Sequence, residues 1–247
     1  FQQIRRTWVR VLLTGGGIAL AMFLVTTLRT VTTSFDATVK AAGGNRLVVS
    51  SAVSLFVFLP EKIVNDLRTL DGVRAVTHWT WFGGVFRGDE KNMFARFACD
   101  APTLRDVYGD RSRGRVDMVL AKEQWDAFET DRASCVIGKG LVDQYGLALG
   151  DTIELEGNIF PGQYAFRVVG IYTSGSAQFD EQSMFFHWTY LDELAGRRGV
   201  VSTFTLDLAP GTDLAQVAHD VDARYESSDH GTRTMTEAAF NQMFVSM

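Results

Sequence analysis

The most informative stretch of this sequence is CVIGKGLVDQYGLALGDTIEL, at residues 135–155. Val136 and Ile137 predict a short strand, and the following KGLVDQY predicts a short helix that turns Leu141 and Val142 inward. Gly146 suits the left-handed residue that ends a helix, and Gly150 with Asp151 predicts a turn into a second strand at residues 152–156. A strand, a helix, a turn and a strand in close succession are typical of a mixed α/β domain.

The segments around this stretch continue the mixed pattern of strands and helices. RLVVSS at residues 46–51 and FRVVGIY at residues 166–172 are rich in β-branched residues and predict strands. A helix is predicted from Asp213 to Tyr225, capped by the side chain of either Thr212 or Asp213. Residues 236–247 open a last helix that is still apolar where the sequence stops, and we interpret it as the start of a further membrane span.

The apolar run AVSLFVFL, residues 52–59, has two interpretations that the sequence leaves open. It is either a buried strand or an exposed loop that contacts a partner, lipid or a hydrophobic substrate. The residues that would make this contact are Val53, Leu55, Phe56 and Phe58. Pro60 follows the run and is predicted to be the first residue of a helix, since proline suits that position.

Residues 11–28, VLLTGGGIALAMFLVTTL, contain no charge and lie between Arg10 and Arg29. As a helix they would extend about 27 Å, close to the ~30 Å hydrocarbon core of a bilayer, so they predict a transmembrane helix. The alternatives are a signal peptide and a buried core helix. Small residues at four-residue spacing predict a surface that packs against another helix. These residues are Gly15, Gly17, Ala19 and Ala21; alternatively, the three adjacent glycines only loosen the helix.

The basic residues before this segment predict its orientation. Arg5, Arg6 and Arg10 place the N-terminus in the cytoplasm by the positive-inside rule, so the main domain is expected to be extracytoplasmic. The helical pattern continues through residues 30–42, which predicts a stalk. Residues 1–42 are therefore assigned to a transmembrane helix and stalk.

The charge distribution limits the partners of the predicted outer domain. The sequence has 24 basic and 29 acidic side chains, of which five basic and one acidic residue precede residue 43. The remainder carries 19 basic and 28 acidic side chains, a net charge of −9. An acidic domain without a basic cluster argues against nucleic acid, whose phosphates require lysine and arginine contacts. We therefore expect no nucleic-acid partner.

The sequence contains no motif for catalysis or nucleotide binding. Gly138-Lys139-Gly140 lacks the upstream glycine and the hydroxyl residue of a phosphate-binding loop. The histidines are scattered, and no two of them have metal-ligand spacing. We expect no catalytic, cofactor or metal site in this chain.

Two further features leave alternatives open. Cys99 and Cys135 are either two separate buried thiols or a disulfide, if the compartment is oxidising. HWTW at residues 78–81 is echoed by HWTY at residues 187–190, which indicates either a paired aromatic site or a chance repetition.

Three segments, in this order, resemble the FtsX-like permeases of ABC transporters that carry a MacB-type periplasmic core domain. They are LRTLDGVRAVTHW at residues 67–79, CVIGKGLVDQYGLALGDTIEL at residues 135–155 and FRVVGIY at residues 166–172. Together with the predicted span and stalk, the resemblance covers nearly the whole chain. It departs from the family at Asp71, where proline is usual, and in having one predicted span where the family has four.

The resemblance implies a long transmembrane and stalk helix followed by a two-lobed, mixed α/β extracytoplasmic domain. Residues 43–97 and 199–235 would form a membrane-proximal lobe, and residues 98–198 an inserted, mostly β lobe. It also implies a bacterial inner-membrane protein that works as a homodimer or heterodimer with an ABC ATPase, which would bind ATP and Mg²⁺. A periplasmic adaptor or substrate protein is a further implied partner.

The resemblance leaves two functions in view, both without an enzyme activity in this chain. In the first, the outer domain couples cytoplasmic ATP hydrolysis to export or extraction of a lipoprotein, peptide or small molecule. In the second, the same complex controls a periplasmic cell-wall hydrolase without transport.

Overall fold

A computed structural model describes residues 17–23, 25–26, 44–88, 92, 94–110, 116–176 and 179–245. The chain forms two compact units, Phe1–Gly44 and Asn45–Met247. In the first unit, residues 17–23 and 25–26 are helical and exposed, and we call them α1. None of the helices in these described ranges is both long and apolar enough to cross a bilayer. Much of the predicted span and the whole stalk at residues 30–42 lie outside the described residues.

The second unit alternates strands and helices. Its strands are β1 (Arg46–Ser51), β2 (Leu59–Pro60), β3 (Val73–Trp81), β4 (Gly84–Phe86), β5 (Ala95–Cys99), β6 (Met118–Val119), β7 (Ser134–Gly138), β8 (Thr152–Gly157), β9 (Gly162–Ser174), β10 (Ser183–His187), β11 (Val200–Val201), β12 (Thr203–Leu208) and β13 (Thr232–Thr236). Its helices are α2 (Ile63–Leu67), α3 (Ala101–Leu104), α4 (Lys122–Thr130), α5 (Lys139–Tyr145), α6 (Trp188–Leu194), α7 (Leu214–Tyr225) and α8 (Glu237–Val245). A π-helical turn at Arg105–Gly109 continues α3.

One long mixed sheet organises this unit. Its strand order is β13-β1-β12-β3-β5-β10-β7-β9-β8-β4, with β6 paired to β9. The β5/β10 and β7/β9 pairs are parallel and the other pairs are antiparallel. A separate two-stranded ribbon joins β2 to β11. The predicted mixed α/β domain is confirmed.

The strand order bears on the predicted division into lobes. The first five strands of the sheet come from the two segments assigned to the membrane-proximal lobe, apart from the last residues of β5 and of β13. The strands beyond β5 come from residues 98–198, except β4, which pairs with β8 at the far edge. The hydrogen-bonded sheet is continuous across the boundary, so the division into two lobes stays a prediction.

The stretch at residues 135–155 folds as its sequence predicts. α5 spans Lys139–Tyr145 and buries Leu141, and Gly146 ends it in the left-handed conformation, with φ of 66°. Gly150, at φ of 91°, begins the turn into β8. These signals are local, because each depends on residues a few positions apart.

The strand interpretation of residues 52–59 is wrong. β1 ends at Ser51, the chain turns through residues 52–58, and β2 contains only Leu59 and Pro60. The pairing of β1 with β12 ends at Ser50 and its pairing with β13 ends at Ser51, and after one more backbone hydrogen bond, from Ala52 to Gly231, the chain leaves the sheet.

The predicted start of the next helix is also wrong. Pro60 lies in β2, where its missing N–H is tolerated because the ribbon has only two strands. α2 begins at Ile63 and is preceded by Lys62 as its N-cap.

The two cysteines lie on opposite faces of the sheet. β10 separates their strands: Phe186 pairs with both Ala98 and Cys135, whereas His187 pairs with Cys99. Strands two positions apart are separated by about 10 Å, beyond the reach of a disulfide even on the same face. Both thiols are free and buried, and burial raises the pKa of each.

The edge strand β13 is protected by one carboxylate from α7. Asp222 accepts hydrogen bonds from the backbone N–H of Thr234 at 3.1 Å and from the hydroxyls of Thr232 and Thr234 at 3.0 and 2.7 Å. This carboxylate covers a position at which another strand could otherwise pair.

We expect Asp222→Ala to lower the free energy of unfolding by about 1–3 kcal/mol, because it removes the acceptor for these three donors. Urea unfolding would measure the loss. Asp220→Ala on the same helix is the matched control, since Asp220 is exposed and, among the described residues, accepts a hydrogen bond only from Gln216, one turn earlier. Equal losses in the two variants would contradict a specific role for Asp222.

Candidate functional site

The chain enters and leaves the sheet at the same end. β1 begins at Arg46, and α8 begins at Glu237 directly after β13. Because β1 and β13 are antiparallel, with Leu47 opposite Thr236, these two connections lie side by side. We call this end the base and define it by Arg46, Tyr108, Asp117 and Glu237.

A buried ionic network holds the base together. The Arg46 guanidinium donates to Asp117 and, at 3.4 Å, to the Oε2 atom of Glu237. It also donates to the carbonyl oxygen of Val107 at 2.5 Å and lies 4.3 Å from the centroid of the Tyr108 ring. The Tyr108 hydroxyl donates to the Oε1 atom of Glu237 at 2.8 Å.

Burial makes this network sensitive to the loss of any member. Arg46 is 4% exposed, Asp117 is 1% exposed and the Glu237 side chain is 13% exposed. Burial alone would lower the pKa of Arg46, but Tyr108, Glu237 and Asp117 raise it above its ordinary value. Burial, together with Glu237, raises the pKa of Tyr108, so its hydroxyl keeps the proton that it donates. The buried Arg46 guanidinium is therefore the counter-charge for two carboxylates, those of Asp117 and Glu237.

The network also reaches the middle of the sheet. The backbone N–H of Gly175, at the end of β9, donates to the carbonyl oxygen of Asp117 at 2.9 Å, and the hydroxyl of Ser176 donates to the Asp117 carboxylate. A Cβ atom at Gly175 would lie 2.0 Å from the carbonyl oxygen of Val116, so this position requires glycine. The base thus connects the first strand, the last helix and residues of the predicted inserted lobe.

The exposed loop at residues 52–58 lies at the opposite end of β1. Val53 is 80% exposed, Phe56 is 66% exposed and Val57 is 41% exposed. We call Val53, Leu55, Phe56 and Val57 the apolar tip. At about 3.3 Å per residue, the length of β1 puts the tip about 17 Å from the base.

The candidate contact residues differ in their surroundings. Val53 and Phe56 point into solvent, whereas Leu55 and Phe58 are half-buried. The Phe58 ring lies 5.6 Å from that of Phe160, in the turn between β8 and β9. Phe58 therefore anchors the loop, and Val53 and Phe56 are available for contact.

The candidate helix-packing residues are only partly described. Gly17, Ala19 and Ala21 lie on α1 and are exposed, and a Cβ placed on Gly17 would meet no described atom within 4 Å outside its chain neighbours and the backbone of its own helix. Gly15 lies outside the described residues. Their packing role stays a prediction.

The repeated motifs meet through one residue of each. The His78 and Trp188 rings are 5.1 Å apart in an edge-to-face arrangement, and the indole N–H of Trp188 donates to the carbonyl oxygen of Val200. His78 is 5% exposed, its Nδ1 atom has no hydrogen-bond partner among the described residues, and burial lowers its pKa to about 4. This contact is side-chain packing in the core, not an open aromatic site.

Within the described ranges, no three His, Cys, Asp or Glu side chains are grouped so that they could hold a metal ion. The groups that sequence reasoning missed are those of the base. Arg46 is separated from Asp117 by 71 residues and from Glu237 by 191 residues, so no local pattern signals their contact.

Comparison with known proteins identifies the class to which this fold belongs. The profile of the MacB-like periplasmic core domain family matches residues 11–224, and the chain belongs to this family. An uncharacterized ABC transporter permease of Methanocaldococcus jannaschii is 25% identical over 168 residues, which cover 65% of this chain and 38% of that protein. The chain thus spans about two fifths of this curated relative. The family is of the ABC permease type and not a catalytic one.

Two solved structures share the fold. The periplasmic region of MacB from Actinobacillus actinomycetemcomitans superimposes with a TM-score of 0.56 at 10% identity, covering 85% of this chain and 96% of that one. The extracellular domain of the noncanonic ABC-type transporter YknZ from Gram-positive bacteria gives a TM-score of 0.53 at 13% identity, covering 78% and 100%. At this identity the likeness concerns the fold alone.

Proposed function

We propose that this chain is part of a permease subunit of an ABC transporter. Its extracytoplasmic domain would couple cytoplasmic ATP hydrolysis to work on an envelope substrate, by export or extraction. ATP and Mg²⁺ would be bound by a separate ABC ATPase, and a second permease copy would complete the complex. In this proposal the predicted span lies in the inner membrane, with its N-terminus in the cytoplasm.

The observation that carries the proposal is the arrangement of the base. Both connections of the domain lie at one end of the sheet, and the buried Arg46–Glu237 pair, at 3.4 Å, joins them. A movement of the segments before β1 and after α8 would therefore be transmitted to the sheet through the base. The apolar tip, at the other end of β1, is where such a movement would meet a substrate or a partner.

The small residues of the first helix have a part in this proposal. Gly15, Gly17, Ala19 and Ala21 would form the close contact with a neighbouring helix in the membrane, since small side chains let helix backbones approach. This contact would lie within the permease dimer.

Purification of the full-length protein in detergent tests the proposal. We expect an ABC ATPase to co-purify in a fixed ratio and to hydrolyse ATP. A periplasmic adaptor or an outer-membrane channel in the same complex would support export, whereas a cell-wall hydrolase would favour the regulatory function. A full-length protein with no further spans and no bound ATPase would overturn the permease assignment.

A further inference from the structure

A basic side chain lies beside the apolar tip. The Arg198 guanidinium is 5.6 Å from the centroid of the Phe160 ring, which in turn lies 5.6 Å from the ring of Phe58. Phe58 anchors the tip, so a single buried ring connects Arg198 to the loop that carries Val53 and Phe56. Arg198 is exposed, and within the described ranges it forms no ion pair.

A second unpaired polar group lies close to this arginine. The Tyr164 hydroxyl is buried and has no hydrogen-bond partner in the part of the chain that the structure describes. The Phe82 ring contacts both Phe160 and Tyr164, at 6.4 and 5.0 Å. Burial raises the pKa of Tyr164 and the nearby Arg198 charge opposes this shift. Two donors without acceptors therefore flank the anchored side of the tip.

The charge of the whole domain sets the context for Arg198, which is one of several exposed arginines outside ion pairs in the described ranges, with Arg87 and Arg197 among them. Residues 43–247 carry a net charge of −9, so most of the surface repels an acidic ligand. Arg198 is linked through the rings of Phe160 and Phe58 to the loop that carries the exposed apolar side chains, so one ligand could contact both a positive charge and an apolar surface.

We propose that the apolar tip and Arg198 together bind an acidic segment of a partner protein that carries apolar side chains. Val53 and Phe56 contact the apolar side chains, and Arg198 pairs with a carboxylate. The proposal rests on the proposed function, which puts the membrane at the base.

The geometry disfavours the other occupants. A lipid surface at the base would be about 17 Å from the tip, the length of β1. A second copy of the chain, docked tip to tip by two-fold symmetry, would bring two Arg198 side chains into one interface without supplying an acidic partner from the tip, and like charges oppose association.

The test uses the full-length protein in phosphatidylcholine nanodiscs and a fluorescein-labelled peptide that alternates leucine and glutamate. We expect fluorescence anisotropy to show binding that weakens as salt is added. A peptide with lysine in place of glutamate should not bind. Phe56→Ser and Arg198→Glu should each weaken binding by about tenfold or more.

Matched controls separate this site from general effects of charge and hydrophobicity. Leu149→Ser removes another exposed apolar side chain, 51% exposed, in the loop that precedes β8. Lys122→Glu makes the same change of charge as Arg198→Glu, on α4 and the opposite face of the sheet. Both controls should bind the acidic peptide like the unmodified protein.

Three outcomes would overturn the inference. These are no binding of the acidic peptide, equal binding of the acidic and basic peptides, and equal binding by the tip variants and their controls. Binding to phosphatidylglycerol vesicles that depends on Phe56, without peptide binding, would assign the surface to lipid instead. If the ATPase co-purifies in these cases, only this inference fails and the proposed function stands.

Discussion

Replacing Arg46 with methionine is expected to lower the free energy of unfolding by about 3–5 kcal/mol. The substitution removes the cation from the base and leaves the Asp117 and Glu237 carboxylates buried without a counter-charge. Urea unfolding followed by tryptophan fluorescence would measure the loss. Trp79 is a suitable reporter because it is linked to the base through Thr205. Its indole N–H donates to the Thr205 hydroxyl, and that hydroxyl lies 3.5 Å from the hydroxyl of Tyr108.

Arg74→Met is the matched control for this substitution. Arg74 pairs with Asp207 at 2.9 Å, and the two side chains are 30% and 7% exposed, so its removal leaves one buried carboxylate without a counter-charge and should cost less than the loss of Arg46, which pairs with two. Adding Asp117→Asn to the Arg46 variant should restore part of the lost stability, because one uncompensated charge is then gone. Similar small losses in the Arg46 and Arg74 variants would show that the base is not an energetic centre of the fold.

Acidification is expected to destabilise the domain through His78. Burial lowers the pKa of His78 to about 4, with Arg68 acting in the same direction and Asp100 opposing it, whereas an unfolded chain has a histidine pKa of about 6.5. The unfolded chain therefore takes up the proton first as the pH falls. The free energy of unfolding should decrease from about pH 6.5 and lose about 3 kcal/mol by about pH 4. Burial also lowers the pKa of His187, which adds to this trend.

His78→Phe isolates this contribution. A phenyl ring can keep the packing against Trp188 and Phe204 while it removes the titrating group. Urea unfolding at a series of pH values should show a smaller decrease in stability between pH 7 and pH 4 than in the unmodified protein. His219→Gln on the exposed face of α7 is the control. Parallel pH profiles for the unmodified protein and His78→Phe would rule out His78 as a source of acid sensitivity.

Local signals in the sequence predict much of this fold. α5 has the bounds that its sequence predicts, and Asp213 caps α7 by accepting from the N–H groups of Ala215 and Gln216. Such elements are decided by residues within one or two turns of each other, so a single sequence contains the information.

The errors come from interactions between distant segments. Residues 52–59 have the composition of a strand, but β1 pairing ends at Ser51, and of this run only Leu59 pairs again, with Val201. Pro60 has the sequence context of a helix start, yet pairing with Val200 places it in a strand. The register of β2 against β11 cannot be derived from either segment alone.

The candidate sites follow the same distinction. The apolar tip was predictable as one of two interpretations, because a run of apolar residues is visible in the sequence. The base was not, because Arg46, Asp117 and Glu237 are ordinary charged residues until the sheet brings β1 and β13 together. The role proposed for Arg198 could not be predicted either, because it depends on the contact of Arg198 with Phe160 in the fold.

The placement of the two cysteines has a practical consequence for studying motion in this domain. Each thiol is fully buried and lies on a different face of the sheet, Cys99 in the apolar cluster that contains Phe185 and Cys135 in the cluster that contains Phe186. A thiol reagent can therefore modify either residue only when the packing over that face transiently opens. Mass spectrometry would measure the labelling rate of each cysteine, and each rate would report how often the packing on one face of the sheet opens. Changes in the two labelling rates when nucleotide is added to an assembled complex would show whether the packing on the two faces opens together or one face at a time.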